Sequence, residues 1–350
     1  MNFDFSEDVT AMRDEVRRVL RDHFPRGAVR QAVDAGTRFD RAFWSLAGEM
    51  GWLGIAIPER FGGAGLDHEA LCMIAEEVGA ALPPVPILSS LAASVAILLA
   101  GDDTQREHWL PRLARGEIIG CLALDGSDVT VAEDGSLSGT RLPVSDGDIA
   151  DIAVIGTAQG LHCIALDQPG VTRETIDTLD IVRGSARIVL RGAVAERLAG
   201  ANLSQLLDRI AILTAFEQVG GAQATLSMAA DYARERYAFG RPIASFQAIK
   251  HKLADIYVAL ELARSNAYYG AWALESGENL PVAAAAARLA ATEAFSRAAQ
   301  ENIQTHGGMG FTWESDCHLY YRRARMLAVQ PGATRYWRDR LIDHLDRDAA

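Results

Sequence analysis

The sequence predicts an α+β fold, mainly α, in three parts. These are a helical N-terminal domain over residues 1–116, a small middle β-domain over 117–200 and a C-terminal four-helix bundle over 201–350. Three observations carry this. Residues 1–116 alternate amphipathic stretches with Gly/Pro punctuation. From about 117 to 197 the chain breaks into short β-rich runs, "IIGCLAL", "IADIAVIGTA", "LHCIALD", "VTRETI" and "SARIVLRG", with no room for a sizeable helix. Beyond about 202 the helical period returns in long runs joined by short turns, the pattern of antiparallel helices.

Taken in order, Ser6-Glu7-Asp8 suits the start of a helix running towards Phe24, with Val9, Met12, Val16 and Leu20 on one face. A second short helix fits 40–50. The stretch "GWLGIAIPERFGGAGLDHEAL" reads as an irregular loop leading into a helix over about 67–80. Another helix fits 89–100, and "DDTQREHWLPRLARGE" forms a short capped helix that closes the region. The β-rich runs suggest a small antiparallel sheet or barrel. Four long helices are expected at 202–236, 244–276, 281–305 and 315–346. The third, "LPVAAAAARLAATEAFSRAAQENIQ", is rich in the strongest helix former.

Composition narrows the function. Of 350 residues, 49% are hydrophobic, enough for a large core. Thirty-four Lys+Arg against 46 Asp+Glu give a formal net charge of -12, which disfavours nucleic acid as a partner. The four cysteines, Cys72, Cys121, Cys163 and Cys317, are scattered without a C-x-x-C pair. A disulfide framework or a zinc site is not expected, and a reducing, cytoplasmic setting is. The acidic N-terminus lacks the basic and apolar regions of a signal peptide. The longest apolar run, "LSSLAASVAILLA", is too short for a membrane span and reads as a buried helix.

Two turns stand out. In "YARERYAFGRPIASFQAIKHKLADI", Phe239-Gly240-Arg241-Pro242 interrupts two helices, and Arg236, Phe239 and Gln247 gather round the break. Arginine can meet a pyrophosphate, a flat aromatic can stack on adenine, and glutamine can supply a directional hydrogen bond. The same residues equally suit a helix cap, a core aromatic and an exposed amide. In "IQTHGGMGFTWE", Gly307, Gly308 and Gly310 join two helices, and paired glycines let a phosphate approach the backbone. The two turns are expected at the same pole of the bundle.

These segments resemble the two C-terminal signatures of the acyl-CoA dehydrogenase family. The order of parts resembles that family as well, and so do "GWLGIAIPERFGGAGL", "DDTQREHWLPRLARGE" and "DQPGVT". The resemblance implies FAD as cofactor and oxidation of an acyl-CoA thioester to a 2-enoyl-CoA, a glutamate taking the α-proton while the flavin accepts hydride. It also implies that Arg236, Phe239, Gln247, Gln304, Gly307 and Gly308 hold the ADP half of the FAD of a neighbouring subunit. An electron-transfer flavoprotein is the implied electron acceptor.

The sequence departs from the family where the chemistry would occur. The usual glutamate lies in a Tyr-Glu-Gly-Thr-like segment, and matching "YRRARMLAVQPGATRYW" to it puts Pro331 there, which accepts no proton. Members with the base on the first bundle helix would place it at Ile210; Asp208 lies about 200° round the helix from that position. Glu217, two turns on along the same face, is a weak candidate, with a structural ion pair to a bundle arginine as its alternative. The loop that usually touches the isoalloxazine appears as the shortened "LALDGSDVTV". The segment that covers the flavin appears as "PVSDG", where Pro143 replaces a tryptophan and Ser145 a threonine. Ser145 keeps one hydroxyl for the flavin.

The expectation is a subunit of an FAD-dependent acyl-CoA dehydrogenase that gives a clamp to a paralogous partner in a hetero-oligomer. A partner chain then supplies the base and the flavin-facing groups. Bulky sterol or polyketide thioesters are the expected substrate class. A self-sufficient homotetramer with a displaced base, and a non-catalytic scaffold without flavin, are the alternatives.

Overall fold

The computed structural model describes residues 7–25, 27–124 and 129–348. The chain divides into two compact units, one of residues 1–36, 72–83 and 211–350, the other of 37–71 and 84–210. No helix among the described residues is long and apolar enough to cross a membrane.

The unit that holds the β-strands also holds α3 (Arg41–Glu49), α5 (Ile87–Ala100) and α6 (Asp103–Ala114). Asp40 caps α3 by accepting the Phe43 N–H, and Asp102 with Gln105 forms a reciprocal capping box on α6. α5 is apolar almost all round, and twelve of its fourteen residues are buried, as a helix inside a core must be. Eight strands follow: β1 (Gly120–Ala123), β2 (Thr130–Val131), β3 (Leu137–Ser145), β4 (Ile152–Thr157), β5 (Gly160–Ala165), β6 (Val171–Thr175), β7 (Ser185–Ala193) and β8 (Glu196–Leu198). They form two four-stranded sheets, in the orders β1-β4-β5-β8 and β2-β3-β7-β6. The second is antiparallel throughout. The first contains one parallel pair, β1 with β4, because the whole hairpin arm of β2 and β3 intervenes between them in sequence. The antiparallel expectation therefore fails at that pair. β3 slips register against β7 between Arg141 and Val144, where Pro143 has no N–H to donate.

The other unit is built on α1 (Glu7–His23), the C-terminal part of α4 (His68–Ala81), most of α7 (Leu203–Glu235), and α8 (Gln247–Ser276), α9 (Leu280–His306), α10 (Cys317–Leu327) and α11 (Thr334–Asp348). α1 buries Val9, Val16 and Leu20, as its period requires. The proposed cap at Ser6 lies outside the described residues. Two features were not legible. A seven-residue helix, α2 (Ala28–Asp34), follows α1. The single last helix expected over 315–346 is two helices, since residues 328–333 contain Pro331, which lacks a donor, and Gly332, which takes φ +72°.

Small residues set how closely the helices of this unit meet. A Cβ on Gly79 would lie 2.1 Å from the Glu217 carbonyl oxygen, and one on Gly220 1.9 Å from that of Glu76. α4 and α7 therefore cross backbone to backbone, which any larger residue would prevent. α8 packs along α9, which buries a ladder of alanines, and Gly270 of α8 lets Ile212 of α7 approach, where a Cβ would lie 3.0 Å from it.

Candidate functional site

The residues singled out by sequence fall at two ends of the helical bundle. At one end, α7 stops at Glu235 and Arg236 stands just past it, its N–H still bonded to the Tyr232 carbonyl. The break then folds as a minimal hairpin, β9 (Tyr237–Ala238) against β10 (Arg241–Pro242). Its two linking residues, Phe239 and Gly240, have φ +52° and +78°. That is the backbone a two-residue hairpin demands; glycine accepts it freely, and a phenylalanine there is under strain. The strain presents the ring outward, and Phe239 is 96% exposed. Behind it, Phe246 meets the Phe239 ring edge-on at 6.2 Å and carries the Arg241 guanidinium on its face at 4.2 Å. Gln247 opens α8 and is exposed.

Gln304, Gly307 and Gly308 come to the same end. α8 begins where α9 finishes, tied by Lys252–Glu301 at 3.0 Å, and the His306 ring stacks on Tyr232 of α7 at 4.1 Å. Gln304 is exposed near the end of α9. Gly307 takes φ +60° and ψ -136°, a region for glycine alone, and a Cβ on Gly307 or Gly308 would meet nothing within 4 Å. The space before these two backbone units is open, as an anion-accepting turn requires. Arg236, Phe239, Gln247, Gln304, Gly307 and Gly308 thus share one exposed end. Its arginine, open glycine backbone and outward ring suit a nucleotide diphosphate.

The opposite end holds Glu217 and Pro331. Glu217 is 4% exposed, and its carboxylate accepts from Arg323 Nη1 at 2.8 Å, itself 3% exposed. Arg288 lies beside this pair, 1% exposed. It donates to Gln218 Oε1 at 2.9 Å, to the Thr292 hydroxyl and to the carbonyls of Leu327 and Gln330. Burial pushes the Arg288 guanidinium down to about 10, with the Glu217 charge opposing that fall. It stays charged at neutral pH and anchors the segment into Pro331. The Pro331 carbonyl in turn accepts the Trp337 indole N–H at 2.9 Å. Pro331 is therefore a framework residue here. Ile210 and Asp208, near the other family position for the base, are buried.

Ser145 lies in the other unit, on β3 opposite Ser185 of β7, with its side chain half-buried. The adjoining Asp146 takes φ +56° and is buried, receiving the Ser89 hydroxyl. The "LALDGSDVTV" loop cannot be placed, since residues 125–128 lie outside those described.

Sequence reasoning missed Arg288 and α2. Arg288 could have been found, because it is the lone charge in the alanine run of α9. The weak sign of α2 is that Gly27 and Gly36, both at positive φ, bracket it.

Comparison with known proteins gives the family. The acyl-CoA dehydrogenase N-terminal domain pattern matches residues 6–117, and the acyl-CoA dehydrogenase C-terminal domain pattern matches 201–345. The chain is 37% identical over 319 residues to acyl-CoA dehydrogenase IpdE2 of Mycobacterium tuberculosis, covering 91% of each chain. It is 31% identical over 347 residues to the mitochondrial short-chain specific acyl-CoA dehydrogenase of Bos taurus, covering 89% of this chain and 84% of that one. Among solved structures it resembles the ChsE4-ChsE5 complex of Mycobacterium tuberculosis, with TM-score 0.92, 27% identity and coverage of 99% of both chains. It also resembles the Tcur3481-Tcur3483 steroid ACAD, a G363A variant, with TM-score 0.90, 28% identity and coverage of 98% and 99%. The chain belongs to the acyl-CoA dehydrogenase family, FAD-dependent oxidoreductases that act on CH–CH bonds.

Proposed function

We propose that this chain is one subunit of a hetero-oligomeric acyl-CoA dehydrogenase, and that it contributes a clamp for the ADP half of an FAD whose flavin is held by a paralogous partner. In this reading Arg236 meets the diphosphate, Phe239 stacks on adenine, Gln247 and Gln304 give directional hydrogen bonds, and Gly307 and Gly308 offer backbone N–H groups. FAD, when bound, supplies the hydride acceptor for α,β-dehydrogenation of the thioester. The partner supplies the base. Ser145 is retained as a minor hydroxyl contact to the flavin.

One observation carries the proposal: the clamp end is open and complete, whereas the base end is closed and occupied by framework. Phe239 is held outward at a strained position with nothing of its own chain to cover it beyond the edge of Phe246. Pro331 replaces the carboxylate of the family pattern, and Glu217 is engaged with Arg323. The alternative of a self-sufficient enzyme with a displaced base needs Glu217 to leave that pair, which disfavours it. Two similar solved structures are named as two-component assemblies, one of them a steroid ACAD. They support a paralogous partner and a bulky polycyclic acyl group. An electron-transfer flavoprotein is the proposed acceptor.

The test is the flavin content of the chain alone and of the chain co-expressed with its paralogue, with substrate-dependent bleaching in both. The proposal expects little flavin in the isolated chain, and one FAD per pair of unlike chains in the mixture. One FAD per chain with bleaching in the isolated protein would refute it.

A further inference from the structure

The short helix α2 is too short to be stable by itself. Its place is set by what it holds, which is the segment that leaves the Gly307–Gly308 turn. The Trp313 indole N–H donates to Asp34 Oδ1 at 2.6 Å, although the tryptophan is 46% exposed and water could serve that donor. Its ring also stacks on His318 at 4.8 Å. Arg30 forms an ion pair with Asp316 at 3.4 Å, both side chains mostly covered, and donates to the Glu314 carbonyl. The Gly27 N–H, just before the helix, donates to Asp316 Oδ2 at 2.9 Å. Trp313, Glu314 and Asp316 are thus each fastened to α2 or to Gly27 just before it by charge-assisted bonds, the stronger kind.

These contacts flank the 3-10 turn Gly307–Phe311, whose Gly310 is buried against the Ile303 carbonyl but whose first two residues carry no side chain that could fix them. Gly307 lies in a conformation open only to glycine, and Gly308 meets nothing that would stop a side chain. A glycine turn gains precision only from what flanks it, and α9 fixes one side. We propose that α2 is a strap that positions the Gly307–Gly308 turn for the nucleotide, with Asp34, Arg30, Trp313 and Asp316 as positioning residues outside the clamp itself. The inference rests on the clamp assignment made above and adds a control point that touches no part of the ligand. Removing the strap leaves the anion-accepting backbone present but misplaced, so FAD affinity falls while Arg236 and Phe239 remain in place.

The experiment uses the assembly as it purifies with FAD, and measures FAD dissociation by flavin fluorescence alongside thermal melting. Asp34→Ala and Trp313→Phe each remove the tether; Asp34→Asn keeps the oxygen that accepts the indole N–H. The expected result is about tenfold weaker FAD binding for Asp34→Ala and Trp313→Phe, from one lost charge-assisted bond. Asp34→Asn stays within about twofold of wild type, since a neutral acceptor retains most of the geometry. Arg236→Ala serves as the reference for the clamp. If Arg236→Ala weakens FAD binding and both tether variants bind as wild type, the strap is refuted and the clamp stands. If Arg236→Ala itself has no effect, the clamp fails and the strap falls with it. A lowered melting temperature with unchanged FAD affinity also overturns the strap, because a helix that merely stabilises the unit would give that result. Should Asp34→Ala not fold, Trp313→Phe, which keeps an aromatic ring beside His318 without the N–H donor, decides the matter.

Discussion

Replacing Glu217 by glutamine separates a structural carboxylate from a catalytic one. The glutamine keeps the shape and removes the charge, so the buried Arg323 guanidinium loses the carboxylate it donates to at 2.8 Å. Breaking a buried pair from one side costs about 3–5 kcal/mol. Arg288 raises the figure towards the upper end, because its guanidinium, already pushed down to about 10 by burial, loses the one negative charge that supports it. For a body the size of the helical unit, each kcal/mol moves the melting temperature about 2–4 °C, so the variant should melt about 6–20 °C lower. Turnover per bound FAD, in the assembly with its partner, should stay near wild type at temperatures where the variant is folded. Glu217→Leu combined with Arg323→Met should recover the share of the loss due to Arg323, since an apolar pair of similar volume replaces a buried ion pair at little cost, while Arg288 still lacks the Glu217 charge. Differential scanning calorimetry and single-turnover flavin bleaching supply the two readouts. A glutamine variant that melts as wild type, carries FAD and fails to bleach would refute this account and make Glu217 the base.

Arg236→Ala should weaken FAD binding by up to about a hundredfold, the loss of one charge-assisted contact to phosphate of about 1.5–3 kcal/mol, read by flavin fluorescence on the native assembly. Pro331→Glu should leave turnover of the mixed assembly unchanged, because a carboxylate there has no flavin held opposite it and displacement by about 1 Å already costs about a hundredfold; steady-state assays of isolated and mixed chains check this. His318 should make the helical unit sensitive to mild acid. Burial first, and then the neighbouring Arg322 and Arg30, hold its imidazole below the ordinary range, against the Trp313 carbonyl and Asp316. The folded state then binds fewer protons than the unfolded state, so its contribution is present near neutral pH and is lost as pH falls below about 6.5. Melting curves between mildly acidic and neutral pH should flatten in His318→Gln relative to wild type, and an unchanged slope would show that His318 does not titrate on unfolding.

What the sequence made legible was whatever local chemistry dictates. The Phe239–Pro242 break announced a turn because glycine and proline cannot continue a helix, and the structure supplies a hairpin of two residues. The helices over 67–80 and 89–100 were readable from period and length. The parallel pairing of β1 with β4 was not, since it joins segments some thirty residues apart with no local mark. α2 was missed because seven residues give under two turns of periodicity, and its position depends on Trp313 and Asp316, nearly three hundred residues away. The division of the last helix was missed because Pro331 was weighed for its inability to accept a proton and not for its inability to donate one. The two alternatives left open for Glu217 could not be told apart by spacing, because the Arg323 that engages it lies on another helix.

The separation of the two ends explains why one can be lost without the other. Glu217 and Arg236 stand on the same helix about 28 Å apart, and Arg288 and Gln304 on its neighbour about 24 Å apart. Side chains that far apart with no shared partner act independently. A chain whose partner brings the base gains nothing from a carboxylate at the position of Pro331. There Arg288 Nη2 donates to the carbonyls of Leu327 and Gln330 and the Trp337 indole to that of Pro331, and that end is a closed joint of the bundle. The clamp end is under the opposite demand. Phe239 at positive φ, nearly all of its surface in solvent, costs stability in the isolated subunit and returns it only when something flat and apolar covers the ring. In the proposed reading, the exposed strained aromatic, with Arg236, Arg241 and the open glycine turn at the same end, is completed by a ligand carried by another chain.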